Sequence, residues 1–146
     1  MTSPEPLPTP SPADVVRSLH RATVNHDLDG IVAHFSADYT LDDPIHPHRS
    51  FRGVDQVRRN WSAILAGMPD LVLDERRLVA DGATVWTEIA LRGHRPDGFE
   101  QVLRGVMIFL VAGDVIESGT FYLAPVVPDG LDADAAVRVV ASGPRP

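Results

Sequence analysis

Cysteine is absent from the 146 residues, which removes disulfides, thiolate metal sites and thiol nucleophiles together. Long apolar runs are absent too. The longest, such as Val106 to Ala112, is far too short to cross a bilayer, so no membrane span is expected. Positive charge is in deficit, with 13 Lys and Arg against 20 Asp and Glu and a net charge of −7 at pH 7. An acidic chain with no basic stripe argues against nucleic acid as a partner and against attraction to anionic membranes. No glycine-rich phosphate loop occurs, because Gly82, Gly98 and Gly113 all sit in hairpin connections. No cofactor is therefore expected. The first residues carry prolines where a secretion signal needs an apolar core, so the expected location is cytoplasmic.

What the chain does carry divides into a proline-rich arm over 1–11, a folded domain over 12–127 and a tail over 128–146. Ser11 is placed to cap a first helix with Pro12 in its first turn. Val15, Val16, Leu19, Ala22 and Thr23 then recur at helical spacing, which predicts a helix to about His26. Asp29 is expected to cap a second helix carrying Ile31, Val32 and Phe35. Tyr39 to Asp43 has strand composition and stops at Pro44. A loop follows to Gly53, and Val54, Val57, Trp61, Ile64, Leu65 and Met68 predict a third helix ended by Pro69. Beyond Asp70 the pattern is β, with strands from Leu71 to Val79, Thr84 to Arg92, Val102 to Val111 and Val115 to Leu123. The stretch 130–146 could be a docked helix or a loose tail. Helices grouped ahead of an antiparallel meander define an α+β fold. A curved sheet wrapped on a helix leaves a cone-shaped hollow suited to a small apolar ligand.

The run Asp27-Leu28-Asp29-Gly30-Ile31-Val32-Ala33-His34-Phe35, with Asp42-Asp43-Pro44 after it, resembles the opening of bacterial ketosteroid isomerases. Arg104-Gly105-Val106, Gly113-Asp114-Val115-Ile116 and Phe121-Tyr122-Leu123 resemble the SnoaL-like branch of the same superfamily. That resemblance spans about Asp14 to Val127. It implies a nuclear transport factor 2-like (NTF2-like) cone and casts Asp43, just before Pro44, as a general base. The two groups that polarise the ketone in the isomerases fall on Leu19 and Met107, so both donors are missing; losing even one costs on the order of 10² to 10³ in rate. Thr120 stands where the SnoaL-like cyclases resembled here carry an acid. Limonene-epoxide-hydrolase-like members place acid and base groups where this chain has Ile89, Leu91 and Thr120. His20, beside Leu19, reads as a helix-surface side chain or, alternatively, as a donor replacing the missing tyrosine.

Strand alternation sorts the candidates, since successive side chains face opposite ways. With Asp43 inward, Tyr39 is inward too, and the apolar faces of the later strands bring in Thr87, Ile89, Met107 and Phe109. The same alternation from Ile116 gives Ser118, Thr120 and Tyr122. Trp61 completes the wall from the third helix. The expected catalytic set is Asp43 as base with Tyr122 or His46 as partner acid. His46-Pro47-His48 has no third ligand at suitable spacing, so no metal is expected. Trp86, Glu88, Arg104, Ile108 and Phe121 fall on the outer face, an apolar patch that predicts a sheet-to-sheet homodimer, with Arg104 paired to Glu88 or Glu117 across neighbouring strands. The function expected is cofactor-free proton transfer in an isomerisation, dehydration or cyclisation of a polyketide-, terpenoid- or steroid-like molecule. The alternative is a catalytically silent protein that keeps the cone for ligand binding or dimerisation.

Overall fold

A capping box opens the first helix. Ser11 Oγ accepts from the Asp14 amide at 3.1 Å, and the Asp14 carboxylate accepts in return from the Ser11 amide at 3.3 Å. In the computed structural model, which describes residues 3–6 and 8–143, this launches α1 (Pro12–Val24). Residues 1, 2 and 7 of the expected arm and 144–146 of the expected tail lie outside the described residues. The helix stops two residues sooner than its apolar spacing predicts. His26 takes a left-handed φ of 54°, the Asp27 amide bonds back to the Ala22 carbonyl, and the His26 ring reaches the Leu71 carbonyl at 2.7 Å.

Asp27, rather than Asp29, then caps α2 (Leu28–Ala33) by accepting from the Gly30 amide. Phe35 belongs not to that helix but to the start of β1 (Phe35–Asp42), where it stacks edge-on against Tyr39. The following loop contains one 3₁₀ turn, Pro47–Arg49, and a two-residue strand, β2 (Phe51–Arg52). Next come α3 (Val54–Gly67), β3 (Val72–Asp81), β4 (Thr84–His94), β5 (Glu100–Ala112) and β6 (Val115–Pro125). The tail forms α4 (Ala133–Ser142), which leaves Val137, Val139 and Val140 exposed.

The six strands form one sheet in the order β2-β1-β6-β5-β4-β3. Every neighbouring pair is antiparallel except β1 with β6, which is parallel because the meander returns β6 to the side of β1. Helix α1 packs against β3, β4 and β5, and α3 against α2 and β1, so both lie on the concave face. This is the α+β cone of the NTF2-like fold. Its core is built from Val16, Ile31, Val85, Ile89, Phe109 and Ile116, all almost wholly buried.

Two irregularities decide which side chains face that core. In β3 the register slips between Glu75 and Arg77, leaving Arg76 as an extra residue, so Leu73, Glu75 and Leu78 share the inner face. In β6 the register slips beyond Ile116: Val111 pairs with Ile116, but Leu110 pairs with Ser118. Glu117 is the extra residue, and the alternation inverts after it. Gly119 and Phe121 lie opposite the inward Phe109 and Met107, while Ser118, Thr120 and Tyr122 turn to the outer face. The sequence reading of those three as inward, and of Phe121 as outward, fails on this single inserted residue.

Glycine is required where β5 and β6 approach. A Cβ on Gly105 would overlap the Tyr122 carbonyl and crowd the Leu123 Cα, both backbone atoms that no side-chain rotation can clear. Gly105→Ala is expected to cost about 2–3 kcal/mol of stability, as other overpacked sites do. A urea denaturation midpoint equal to that of the parent chain would contradict this.

Candidate active site

Between the two helices and the concave sheet lies a cavity of about 340 Å³. Trp61, Ile64 and Met68 from α3 form one wall, facing Leu19 from α1. The sheet contributes Leu73, Ile89, Leu91, Leu103, Met107 and Phe109, and β6 adds Phe121 and Leu123. Phe109 and Phe121 meet edge to face at 5.8 Å between centroids. Polar groups are few. Thr23 lines the space, but its hydroxyl donates to the Leu19 carbonyl at 2.9 Å and is spent there. Gln101 comes from the start of β5. Asn60 accepts from Gln56 through Oδ1 at 2.7 Å, which leaves its amide N–H group uncommitted by that bond.

His20 is the ionisable group in the cavity wall, and it is 5% exposed. It stands one helical turn from both Val16 and Thr23, so the apolar stripe of α1 carries it inward. The reading of His20 as a helix-surface side chain is therefore corrected. Its Nδ1 lies 2.9 Å from Glu75 Oε1, the carboxylate that the β3 register puts opposite Ile89. A carboxylate only accepts, so Nδ1 carries the proton. Arg17 sits on the far side of Glu75, with Nε 3.7 Å from Oε2. Nε2 is buried and has no hydrogen-bond partner among the described residues. Burial holds the imidazole pKa below its ordinary value; the hydrogen bond and charge of Glu75 oppose that shift, and the charge of Arg17 adds slightly to it. At neutral pH the ring is neutral, with its Nε2 lone pair free.

The sequence candidates separate into five places. Trp61, Ile89, Met107 and Phe109 line the cavity. Tyr39 lines a small annex of about 40 Å³ that shares Phe35, Asn60, Trp61 and Phe121 with it. Burial pushes the Tyr39 phenol pKa upward, so this side chain stays protonated. Thr87 is fully buried among the core residues, with its hydroxyl unpartnered among the described residues, and does not reach the cavity lining. Asp43, His46 and Tyr122 come together elsewhere, around a pocket of about 150 Å³ at the end of β1 and along β6. There Asp43 Oδ1 accepts from the His46 amide at 3.0 Å and lies 3.4 Å from His46 Nδ1. The Asp43 amide donates to Ser50 Oγ at 3.0 Å. Asp43 is thus held by a turn of its own loop, with its side chain 13% exposed, outside the large cavity. Ser118 and Thr120 lie on the outer face and line neither space.

His20 and Glu75 were the groups least visible in the sequence. Helical spacing was a signal for His20, and alternation from Leu73 was one for Glu75. The charged run Asp74-Glu75-Arg76-Arg77 masks the latter, because it reads as a solvated face.

A curved sheet closed by helices around a hydrocarbon-lined hollow defines a class of small-molecule-sized cones. Residues 16–118 match the SnoaL-like domain, and the chain belongs to that family. Among solved structures, it is similar to SalBIII, described as an epoxide hydrolase/cyclase-like enzyme in pyran ring formation in polyether salinomycin; the two are 19% identical, 77% of this chain and 90% of that chain are covered, and the TM-score is 0.68. RV0760c from Mycobacterium tuberculosis, in complex with estradiol-17beta-hemisuccinate, is also 19% identical over 77% of this chain and 94% of that one, with a TM-score of 0.66. A computationally designed 17-OHP binder is 19% identical over 80% of this chain and 100% of that chain, with a TM-score of 0.67. No curated protein matches in sequence.

The buried neutral imidazole makes folding pH-dependent. In the unfolded chain it gains a proton near pH 6.5, and in the folded chain only at lower pH. Its contribution is therefore complete above about pH 6.5 and declines as pH falls through the window below it. Thermal melts from pH 7.5 to pH 5 should show a steeper fall in Tm for the parent chain than for His20→Leu. Parallel curves would rule out this source.

Proposed function

We propose that the chain binds a small, largely hydrocarbon molecule in the large cavity and moves a proton on it without a cofactor, in an isomerisation, dehydration or cyclisation. The observation that carries this reading is an apolar hollow of about 340 Å³ with one buried imidazole in its wall. Such a space takes a ligand with one or two oxygens on a hydrocarbon frame, as polyketide-, terpenoid- and steroid-like molecules are. A positioned side chain that takes and returns a proton accelerates such reactions by about 10²–10⁴-fold. The ligands bound by RV0760c and the designed binder, and the ring-forming chemistry of SalBIII, support the same choice of ligand. Binding without turnover is the alternative, and a turnover assay on a bound ligand separates the two.

A second reading puts the proton transfer at the smaller pocket. The contact of Asp43 with His46, with Tyr122 on the same pocket, favours it. Here Asp43 is the base and His46 or Tyr122 the partner acid.

Estradiol and apolar ketones should raise the Tm and quench Trp61 fluorescence. Leu103→Trp, which fills the cavity from β5, is expected to weaken that binding at least tenfold, about 1.4 kcal/mol, while the fold persists by circular dichroism. Undiminished binding in this variant would place the ligand elsewhere.

We infer that the chain pairs with a second copy of itself through the outer sheet face. Trp86, Leu110 and Tyr122 are 51%, 41% and 45% exposed, and Ile108 lies among them. Arg104 approaches Glu88 at 3.8 Å on this face. A two-fold axis through it sets each apolar patch on its copy and lets Arg104 of one subunit meet Glu88 of the other. Trp86→Glu should convert a dimer to a monomer in sedimentation velocity. A parent chain that sediments as a monomer at high concentration would exclude the arrangement.

A further inference from the structure

We propose that Asn60 selects the ligand of the large cavity, and that its amide N–H group, oriented from outside by Arg59 through Gln56, donates to a ligand oxygen. The ligand is then an uncharged hydrocarbon frame bearing a carbonyl, ether or epoxide oxygen at the end next to α3. This rests on the cavity reading above and adds to it the recognition group and the kind of oxygen recognised.

Asn60 belongs to the inward stripe of α3. It stands about one turn from Val57 and from Ile64 and next to Trp61, on one face of the helix. It borders both the cavity and the annex that Tyr39 lines. The other polar groups of the cavity wall are placed differently. The Thr23 hydroxyl is taken by the Leu19 carbonyl, and His20 gives Nδ1 to Glu75 and keeps Nε2 buried. Gln101 pairs with Gly93 next to the exposed His94 and Glu100, at the solvent end of the β4–β5 pair. The Trp61 indole N–H is the remaining donor on α3.

The direction of the Asn60 amide is set outside the cavity. A guanidinium only donates, so Arg59 Nη2, 2.7 Å from Gln56, identifies the atom it meets as the carbonyl oxygen Oε1. The nitrogen of Gln56 then faces Asn60 and donates to Oδ1 at 2.7 Å. With Oδ1 engaged, Nδ2 is the polar atom this short side chain has left for a ligand. Among the described residues, the buried side-chain polar atoms without a partner are on His20 and Thr87. The Asn60 nitrogen is not one of them, so it meets open space and not packed protein.

An N–H group among hydrocarbon walls is satisfied by an acceptor. A ligand that places carbon there leaves the donor unpaired, which costs binding energy. A carboxylate ligand would meet no Lys or Arg on the cavity wall to offset its loss of water. A neutral oxygen with a free lone pair fits both conditions.

The test is calorimetry on the full chain with 2-tetralone, 2-tetralol and tetralin, which share one bicyclic frame and differ in oxygen. The parent chain should bind all three. Asn60→Leu should weaken 2-tetralone about tenfold and leave tetralin within about twofold. Gln101→Leu and Trp61→Phe should change 2-tetralone and tetralin alike. Gln56 and Arg59 lie outside the cavity lining, so their variants test the orientation without altering the walls. In Gln56→Glu the new carboxylate only accepts, so the Asn60 amide turns its N–H group toward it and its oxygen toward the ligand. The affinity ratio of 2-tetralone to 2-tetralol should then fall about tenfold, because the alcohol can donate to that oxygen and the ketone cannot. Arg59→Met should lower the same ratio, since Gln56 is then free to turn. A merely structural role for Gln56 or Arg59 would weaken both ligands equally.

Equal effects of Asn60→Leu on 2-tetralone and tetralin, with circular dichroism unchanged, would overturn the assignment. So would a selective loss of 2-tetralone in Gln101→Leu or Trp61→Phe. Should Asn60→Leu fail to fold, an unchanged ketone-to-alcohol ratio in Gln56→Glu would overturn it instead. Failure of the parent chain to bind any of the three would overturn the cavity reading, and the assignment with it. Infrared spectra supply a second readout. The carbonyl stretch of bound 2-tetralone should lie lower in the parent chain than in Asn60→Leu, because a hydrogen bond to oxygen weakens the C=O bond, and equal frequencies would refute the proposal.

Discussion

The arrangement depends on a mismatch of lengths. At about 1.5 Å per residue, the 13-residue α1 is about 20 Å long. The 13-residue β5 beneath it extends about 43 Å at about 3.3 Å per residue. One helix cannot cover the concave face of strands twice its length. Helix α3 covers more of it with Trp61, Ile64 and Met68, yet a hollow remains where the helical side chains and the sheet do not meet. Close packing is the rule inside proteins. A space of this size is therefore a product of the architecture and not of loose packing. The surrounding core is tight, with Val85, Ile89, Phe109 and Ile116 all within a percent or so of full burial.

A hollow with hydrocarbon walls amplifies any polar group placed in it, because hydrogen bonds and charges act more strongly where water is scarce. The sheet controls what is placed there through its two bulges. The extra Arg76 preserves an inward Glu75 below and an inward Leu78 above. The extra Glu117 exchanges a polar set, Ser118, Thr120 and Tyr122, for Phe121 and Leu123. One bulge thus sets an acid beneath the helix, where it meets His20. The other strips hydroxyl groups from the opposite wall. The outer face receives what the inner face loses, and Tyr122 joins Trp86 and Leu110 there.

Much of the architecture was legible in the sequence. The change from helical to alternating spacing at Asp70, the stops at Pro44 and Pro69, and the Asp81-Gly82 turn each have a local physical cause. These fixed the order of elements and the α+β class. The first half of β1 was not legible. Ile31, Val32 and Phe35 continue a helical spacing, and only pairing of Phe35 with Ile116 makes a strand of it. The bulges were not legible either: Glu117-Ser118 interrupts the alternation after Ile116, but nothing local marks which residue is the insertion. The inserted residue exists only in the pairing with β5, and the hydroxyl-lined wall expected from alternation was lost with it. Aliphatic and aromatic candidates fared better: Ile89, Met107, Phe109 and Trp61 lie on regular elements before any register shift intervenes.

The position of His20 follows from the same logic. Its spacing from Val16 and Thr23 marks it as inward, but polarity argues for the surface, and local sequence cannot weigh one against the other. The deciding partner lies 55 residues away, on a strand whose charged run suggests solvent. A buried histidine is tolerable only if something in the fold holds one edge of its ring, and Glu75 can do so only because β3 pairs it with Ile89 on the face that α1 covers. Asp43 is the converse case. Its position before Pro44 suggests a base aimed into the hollow, yet the loop closes on it first through the His46 amide and Ser50. Long-range pairing brings an unremarkable histidine to the wall of the large cavity, while short-range hydrogen bonds hold the more conspicuous aspartate outside it.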